Sequence, residues 1–120
     1  MHFTVDTARA LLPELLTRAK VVVRLRADLA DARAAMRGGQ EPVGGLAELK
    51  ALEAHLQEAV DWFATAGVEL KGLAPLVADF PAELDGEPVL LCWLEGEREL
   101  GWYHPAGTGF MGRRPLPGSR

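Results

Sequence analysis

The sequence has one cysteine, no apolar run long enough to span a membrane and no recognisable secretory signal. A single cysteine excludes an internal disulfide. The N-terminal stretch MHFTVDTARALLPELL lacks the basic region followed by an apolar block that a signal peptide needs. We therefore expect a cytoplasmic protein that does not enter the membrane.

The common catalytic and cofactor-binding motifs are also missing. There is no Ser-His-Asp order, no nucleotide fingerprint and no spacing typical of zinc ligands. The glycine-rich segment 38–45, GGQEPVGG, lacks the Lys-Ser/Thr of a phosphate-binding loop, and no strand precedes it. The sequence thus predicts no catalytic residue, no cofactor and no metal ligand set.

The charge is modest overall but unevenly distributed. The net charge of −4 disfavours non-specific binding to nucleic acid. Residues 1–40 hold seven Lys and Arg against four Asp and Glu, residues 41–104 hold three against thirteen, and residues 105–120 hold three against none. Because the basic and acidic segments can neutralise one another, internal pairing explains the arginines more simply than an anionic partner does.

The first half of the chain has the pattern of a long helical hairpin over residues 4–66. Thr4 is a good N-cap, whereas Pro13 predicts a kink or a restart of the first helix. Both helices carry apolar stripes in steps of three and four, which indicates coiled-coil-like packing. The stripe positions are 11, 15, 22, 25, 29, 32 and 36 in the first helix and 49, 52, 56, 59, 63 and 66 in the second.

The second half predicts a small antiparallel sheet over residues 67–104, followed by an ordered C-terminal tail over residues 105–120. Short apolar runs rich in strand formers are separated by glycine, proline and the turn signal Asp85-Gly86. The strand candidates are residues 68–71, 76–80, 89–94 and 100–104. We expect one α+β domain spanning residues 1–120, with three or four strands.

The last two strand candidates predict a hairpin closed by a two-residue turn at Gly96-Glu97. That turn would place Trp93 opposite Leu100, Leu91 opposite Trp102 and Val89 opposite His104. Since side chains alternate along a strand, His104 would then share a face with Leu91 and Trp93 rather than with Cys92.

Three stretches resemble one family. They are FTVDTARALLPEL, VADFPAELDGEPVLLCWLEGERELGWYH and GFMGRRPL. Together they are similar to the small bacterial family filed as domain of unknown function twenty-two-oh-three. The most specific parts are residues 79–81, 91–93, 104, 109–110 and 112–116. The resemblance spans nearly the whole chain and implies no established activity.

Five residues are candidates for binding a ligand: His104, Arg113, Arg114, Asp79 and Tyr103. The imidazole of His104 titrates near neutral pH, and paired arginines can grip a carboxylate or phosphate. Each also has a structural explanation. His104 could close a strand on a backbone bond, and the arginines could pin the tail to acidic residues at positions 79, 83 or 85. Cys92 is expected to be a small buried hydrophobe.

These observations favour a non-enzymatic oligomeric interaction module with a small anion-binding site. An alternative is a small enzyme or metal-dependent catalyst centred on His104 and Asp79, and a second is a ribosome- or nucleic-acid-associated protein. Apolar stripes on both helices and apolar residues on both hairpin faces predict a homodimer, formed through the helices or a sheet face.

Overall fold

The structure is a computed structural model that describes residues 2–41 and 44–117. Helices α1 (Val5–Arg37) and α2 (Gly45–Thr65) precede the strands. The strands are β1 (Glu69–Leu73), β2 (Leu76–Leu84), β3 (Glu87–Leu94), β4 (Trp102–Pro105) and β5 (Arg114–Pro115), with a short 3₁₀ turn at Phe110–Gly112 before β5. The predicted α+β class is confirmed, with five strands among the described residues where the sequence indicated three or four.

The chain divides into two compact units. We call residues Thr17–Trp62 the helical unit, and the described residues of Met1–Leu16 and Phe63–Arg120 the sheet unit. The predicted helical hairpin over residues 4–66 corresponds to α1 and α2. Neither helix has a stretch long and apolar enough to cross a membrane.

Helix α1 begins with a reciprocal cap. The Thr7 N–H donates to Thr4 Oγ1 at 3.0 Å, and the Thr4 N–H donates to Thr7 Oγ1 at 2.8 Å, which satisfies donors that a helix start leaves free. The helix then continues through Pro13, so the expected restart there does not occur. Proline removes one i→i−4 bond, while Leu12 and Leu15 on either side of it remain buried in the sheet unit.

The helical unit follows the predicted apolar stripes in part, since Met36 on the stripe of α1 is 45% exposed. Its buried side chains are Ala19, Val22, Leu29 and Leu49. The expected pairing between the basic and acidic helices occurs at Arg33, whose Nη2 lies 3.1 Å from Glu53 Oε2. This hydrogen bond is the largest cause of a lowered pKa at Glu53, and a second bond from Lys50 adds to it.

The five strands form one antiparallel sheet in chain order, β1-β2-β3-β4-β5. The turn at Asp85-Gly86 is confirmed. Both of its central residues have a positive φ, 52° and 79°, as in the two-residue hairpin turns that match the twist of the flanking strands. Its two residues fix Leu84 opposite Glu87 and therefore Asp79 opposite Cys92. The strand centres are buried continuously from Ala78 to Phe80 and from Val89 to Trp93, which shows that both sheet faces are covered there.

The predicted register of the β3–β4 hairpin is wrong by one residue. Leu90 pairs with His104, Leu91 with Tyr103 and Cys92 with Trp102. The turn closes one residue earlier than predicted, because the Glu97 N–H donates to the Leu94 carbonyl at 2.9 Å. The chain then crosses residues 98–101 before β4 begins.

Glu97 holds this irregular connection in place. Its Oε1 accepts the Leu94 N–H at 2.8 Å, and its carbonyl accepts the Trp93 Nε1–H at 2.8 Å. Leu100, predicted to lie in β4, is buried just before that strand. These bonds stabilise the turn at Glu95-Gly96 in place of the predicted turn at Gly96-Glu97.

Over its described residues, 105–117, the tail is ordered, as expected, and adds the fifth strand. Trp102 pairs with Pro115, Tyr103 pairs with Arg114, and the Leu116 N–H donates to the Gly101 carbonyl at 2.8 Å. Leu116 is buried. Phe110, a bulky residue of the same tail, is 38% exposed, so Leu116 is the stronger apolar anchor of the two.

Replacing Leu116 with alanine should lower the free energy of unfolding by about 2–5 kcal/mol, because it removes buried methyl groups and leaves a cavity. Met111→Ala is the matched control, since Met111 is 92% exposed in the same tail. Urea denaturation of both variants and the parent measures the difference. Equal midpoints for the two variants would show that the tail does not depend on Leu116.

Candidate functional site

Three adjacent strands bring Asp79, Cys92 and His104 together on one face of the sheet. Asp79 in β2 lies opposite Cys92 in β3, and His104 in β4 lies opposite Leu90, two residues before Cys92 in β3. Since residues two apart on a strand share a face, the observed register places all three side chains on the same side. The predicted register would have placed His104 on the other face.

The three side chains form a buried cluster. Asp79 and His104 are each 1% exposed and Cys92 is fully buried. One donor atom from each side chain can be chosen so that all three atoms lie within 4.8 Å of one another. Aspartate and histidine are rarely buried in this way without partners, so their hydrogen bonds determine what the cluster can do.

The hydrogen bonds of His104 fix where its protons lie. Nδ1 is 2.9 Å from the Pro105 carbonyl oxygen, which can only accept, so Nδ1 carries a proton. Nε2 is 3.1 Å from Asp79 Oδ2, and that bond requires one further proton between the two groups. The pair is therefore either an imidazolium with a carboxylate or a neutral imidazole with a carboxylic acid.

The two oxygens of Asp79 have different surroundings. Oδ2 is 3.1 Å from His104 Nε2 and also 3.3 Å from Lys71 Nζ. Oδ1 is buried and has no hydrogen-bond partner. A buried acceptor without a partner costs free energy of about 1–3 kcal/mol, which makes Oδ1 an uncommon feature of the core.

Lys71 reaches the cluster from an irregularity in β1, where the pairing with β2 shifts between Leu70 and Gly72. Such a bulge redirects a side chain. Burial lowers the pKa of Lys71, but bonds to Glu69, at 3.1 Å, and to Asp79 outweigh that effect and leave the pKa raised. Lys71 therefore remains an ammonium group between one exposed and one buried carboxylate.

The thiol of Cys92 is inert on its own. Burial, and secondarily the charge of Asp79, raises the pKa of Cys92 from 9.0 to about 12, despite the opposing influence of Arg113. A reactive cysteine needs a lowered pKa and access to solvent, and Cys92 has neither. Cys92 is small and buried, as expected, but its position beside Asp79 and His104 was not predicted.

Arg113 connects the tail to the backbone of Cys92. Its Nη2 lies 2.8 Å and 2.9 Å from the two carboxylate oxygens of Glu97 and donates to the Cys92 carbonyl at 3.2 Å. Its guanidinium also stacks 4.8 Å from the Trp102 ring centroid and 4.9 Å from that of Phe110. The expected acidic partners at positions 79, 83 and 85 are replaced by Glu97.

The five predicted site residues therefore separate into two groups. Asp79 and His104 are in direct contact, and Arg113 lies near them through the Cys92 backbone. Tyr103 and the exposed Arg114 pair with each other across β4 and β5, on the opposite face of the sheet.

Sequence reasoning missed Cys92 as a member of the cluster, together with Lys71. The signal for Cys92 was present, because counting back from Asp85-Gly86 places Cys92 opposite Asp79. The approach of Lys71 depends on the bulge in β1, which the sequence does not mark.

Comparison with known proteins confirms the family resemblance. The sequence model of a family described as an uncharacterized conserved protein, DUF2203, matches residues 1–116. No curated protein and no solved structure matches the chain. The stretches on which the resemblance depends include Asp79, Cys92 and His104.

In the folded protein, we expect Cys92 to react with iodoacetamide at least about 100-fold more slowly than in urea, since a raised pKa and burial both withhold the thiolate. Mass spectrometry at pH 8 measures the modified fraction. The folded thiol holds its proton more tightly than the unfolded one, so its contribution to stability is complete below pH 9.0 and declines toward pH 12. A Cys92→Ala variant should lack that alkaline decline.

Arg113→Lys should lower the free energy of unfolding by roughly 1–3 kcal/mol, because lysine cannot reproduce the bonds to Glu97 and to the Cys92 carbonyl together with the ring stacking. Arg114→Lys, one residue along the same tail, should change stability by less than about 0.5 kcal/mol. Thermal or urea unfolding compares them. Equal effects would contradict a structural role specific to Arg113.

Proposed function

We propose that this chain, which belongs to the family of uncharacterized conserved proteins DUF2203, is a non-enzymatic interaction module that forms a homodimer through its helical unit. The observation that carries the proposal is the exposure of apolar side chains in residues 17–62. The charge of the two helices and the burial of the Asp79 cluster support it. Its single cysteine, unable to form an internal disulfide, supports the cytoplasmic location we assign to it.

The helical unit covers its apolar surface incompletely. Val21, Met36 and Leu46 are 42%, 45% and 59% exposed. Several residues of the apolar faces of α1 and α2 are only half-buried, namely Leu25, Ala32, Leu52, Leu56 and Val60. Two helices joined by one loop bury little unless another layer packs on them. A second copy supplies such a layer, and a four-helix bundle is a common result.

The charges of the two helices are complementary between copies as well as within one. Over residues 17–37, α1 carries six Lys and Arg against two Asp, whereas over residues 45–62 α2 carries one Lys against four Asp and Glu. In a two-fold dimer, α1 of each copy can lie beside α2 of the other, so that each basic helix meets an acidic one. Such complementarity favours self-association over binding to another strongly charged partner.

The buried cluster supports a role without catalysis. A general acid or base must come within hydrogen-bond reach of a substrate, yet Asp79 and His104 are each 1% exposed. Cys92 is fully buried with a raised pKa, which is unfavourable for a nucleophile. These side chains are therefore better suited to holding the sheet together than to attacking a substrate.

The small anion-binding site stays a prediction. Arg113 already has Glu97 as a carboxylate partner, and His104 is buried. An anion would have to displace Glu97 or bind Arg114 on the other face.

Sedimentation velocity at micromolar concentration tests the dimer. We expect the parent to have about twice the chain mass of 13.0 kDa. Val21→Asp, which places a charge on the exposed apolar surface of α1, should shift the protein to monomer, because a buried unpaired carboxylate is unfavourable at an interface.

Leu73→Asp is the matched control, since Leu73 is 40% exposed but lies in the sheet unit. It should leave the dimer intact. A monomeric parent, or a dimer disrupted by Leu73→Asp and not by Val21→Asp, would contradict association through the helical unit.

A further inference from the structure

We propose that Asp79, Cys92 and His104 form a site for one divalent transition-metal ion of the zinc type. The proposal concerns the sheet unit alone and does not depend on the dimer. Three independent observations carry it: the donor set, the buried carboxylate oxygen without a partner, and the orientation of the imidazole.

The donor set combines one sulfur, one nitrogen and one carboxylate oxygen, each from a different strand. Thiolate, imidazole and carboxylate are the side-chain ligands that zinc takes in proteins, whereas magnesium and calcium take oxygen ligands. A sulfur and a nitrogen in the same cluster therefore favour zinc, cobalt or a similar ion. The three donor atoms lie within 4.8 Å of one another.

Asp79 Oδ1 supplies the second observation. The other oxygen, Oδ2, is bonded to both Lys71 and His104, while Oδ1 is buried without a hydrogen-bond partner. A carboxylate oxygen that is withdrawn from water and makes no hydrogen bond is uncommon in a protein core. A metal ion bound at Oδ1 would provide the missing partner.

The imidazole of His104 is oriented as metal-binding histidines are. Its Nδ1–H donates to the Pro105 carbonyl at 2.9 Å, which fixes the ring and the tautomer. Metal-ligating histidines commonly donate their second N–H to a backbone carbonyl or a carboxylate in this manner. Nε2, the remaining nitrogen, faces Asp79 and is available as a ligand once it has lost its proton.

Binding requires a small contraction and a balanced exchange of protons. Ligand atoms around one tetrahedral zinc lie roughly 3.3–3.8 Å apart, given bonds of about 2.0–2.3 Å, so the cluster must close by about 1 Å. The Cys92 thiol loses its proton, and so does the His104–Asp79 pair. Two protons leave to solvent as the ion enters, and the thiolate and carboxylate together neutralise its double charge.

Lys71 would keep a carboxylate partner when the ion binds. Its ammonium group is 3.1 Å from Glu69 as well as 3.3 Å from Asp79, so it can keep Glu69 as its partner while Asp79 turns to the metal. Three protein ligands leave a fourth position for water or another donor. The ion would link β2, β3 and β4.

Cobalt substitution tests the site directly. Tag-free protein is unfolded with a chelator, freed of it, refolded with Co²⁺ and passed through a desalting column. We expect one cobalt per chain and a thiolate-to-cobalt charge-transfer absorption in the near ultraviolet. Because the chain has one cysteine, such a band can arise only from Cys92.

Cys92→Ala should abolish the band, and Asp79→Asn should release cobalt on desalting. Asp85→Asn and His55→Ala are the matched controls, since both residues are exposed and lie outside the cluster; they should retain both the metal and the band. Zinc should raise the melting temperature of the parent and the controls but not of the two cluster variants. Circular dichroism confirms that each variant is folded.

Absence of the charge-transfer band from refolded parent would overturn the proposal, whatever the variants do. Equal cobalt uptake by the parent and Cys92→Ala without such a band would also overturn it, because the ion would then be bound elsewhere on the surface. The parent spectrum is decisive even if a cluster variant fails to fold.

Discussion

The register between β2, β3 and β4 is the constraint on which the rest of the sheet unit depends. The two-residue turn at Asp85-Gly86 fixes β2 against β3, and the bonds of Glu97 to Leu94 and Trp93 fix the connection into β4. A shift of one residue in either hairpin would turn one of its strands over relative to the other. Asp79, Cys92 and His104 meet only because both hairpins keep their observed register.

Most of the fold was predictable, since local signals and global packing agree. The apolar stripes, the Thr4 cap and the Asp85-Gly86 turn each determine their element largely through neighbouring residues. The β3–β4 connection was not, because the turn at Glu95-Gly96 is followed by the irregular residues 98–101 and is stabilised by the side chain of Glu97. Strand β5 was also missed, since its two residues gain their pairing only from contact with β4.

The candidate site shows the same division between local and tertiary information. Asp79 and His104 could be selected by residue type, but their contact and the inclusion of Cys92 follow from strand pairing alone. The partner of Arg113 was predicted among acidic residues on β2 and its turn, yet Glu97 lies nearer in the folded chain. A carboxylate in an irregular connection is hard to place from sequence, since the backbone path there follows no fixed period.

The N-terminal segment covers part of the β2 edge that β1 leaves unpaired. Strand β1 pairs with β2 only as far as Asp79, which would leave the backbone of residues 80–84 open along one side. Phe3 covers that gap: its N–H donates to the Pro81 carbonyl at 2.7 Å, it bridges to Ala82, and its ring meets Phe80 edge-on at 5.2 Å. Unpaired strand edges recruit strands from other molecules. Removing the first few residues would therefore remove these contacts and also expose an unpaired strand edge, which favours aggregation.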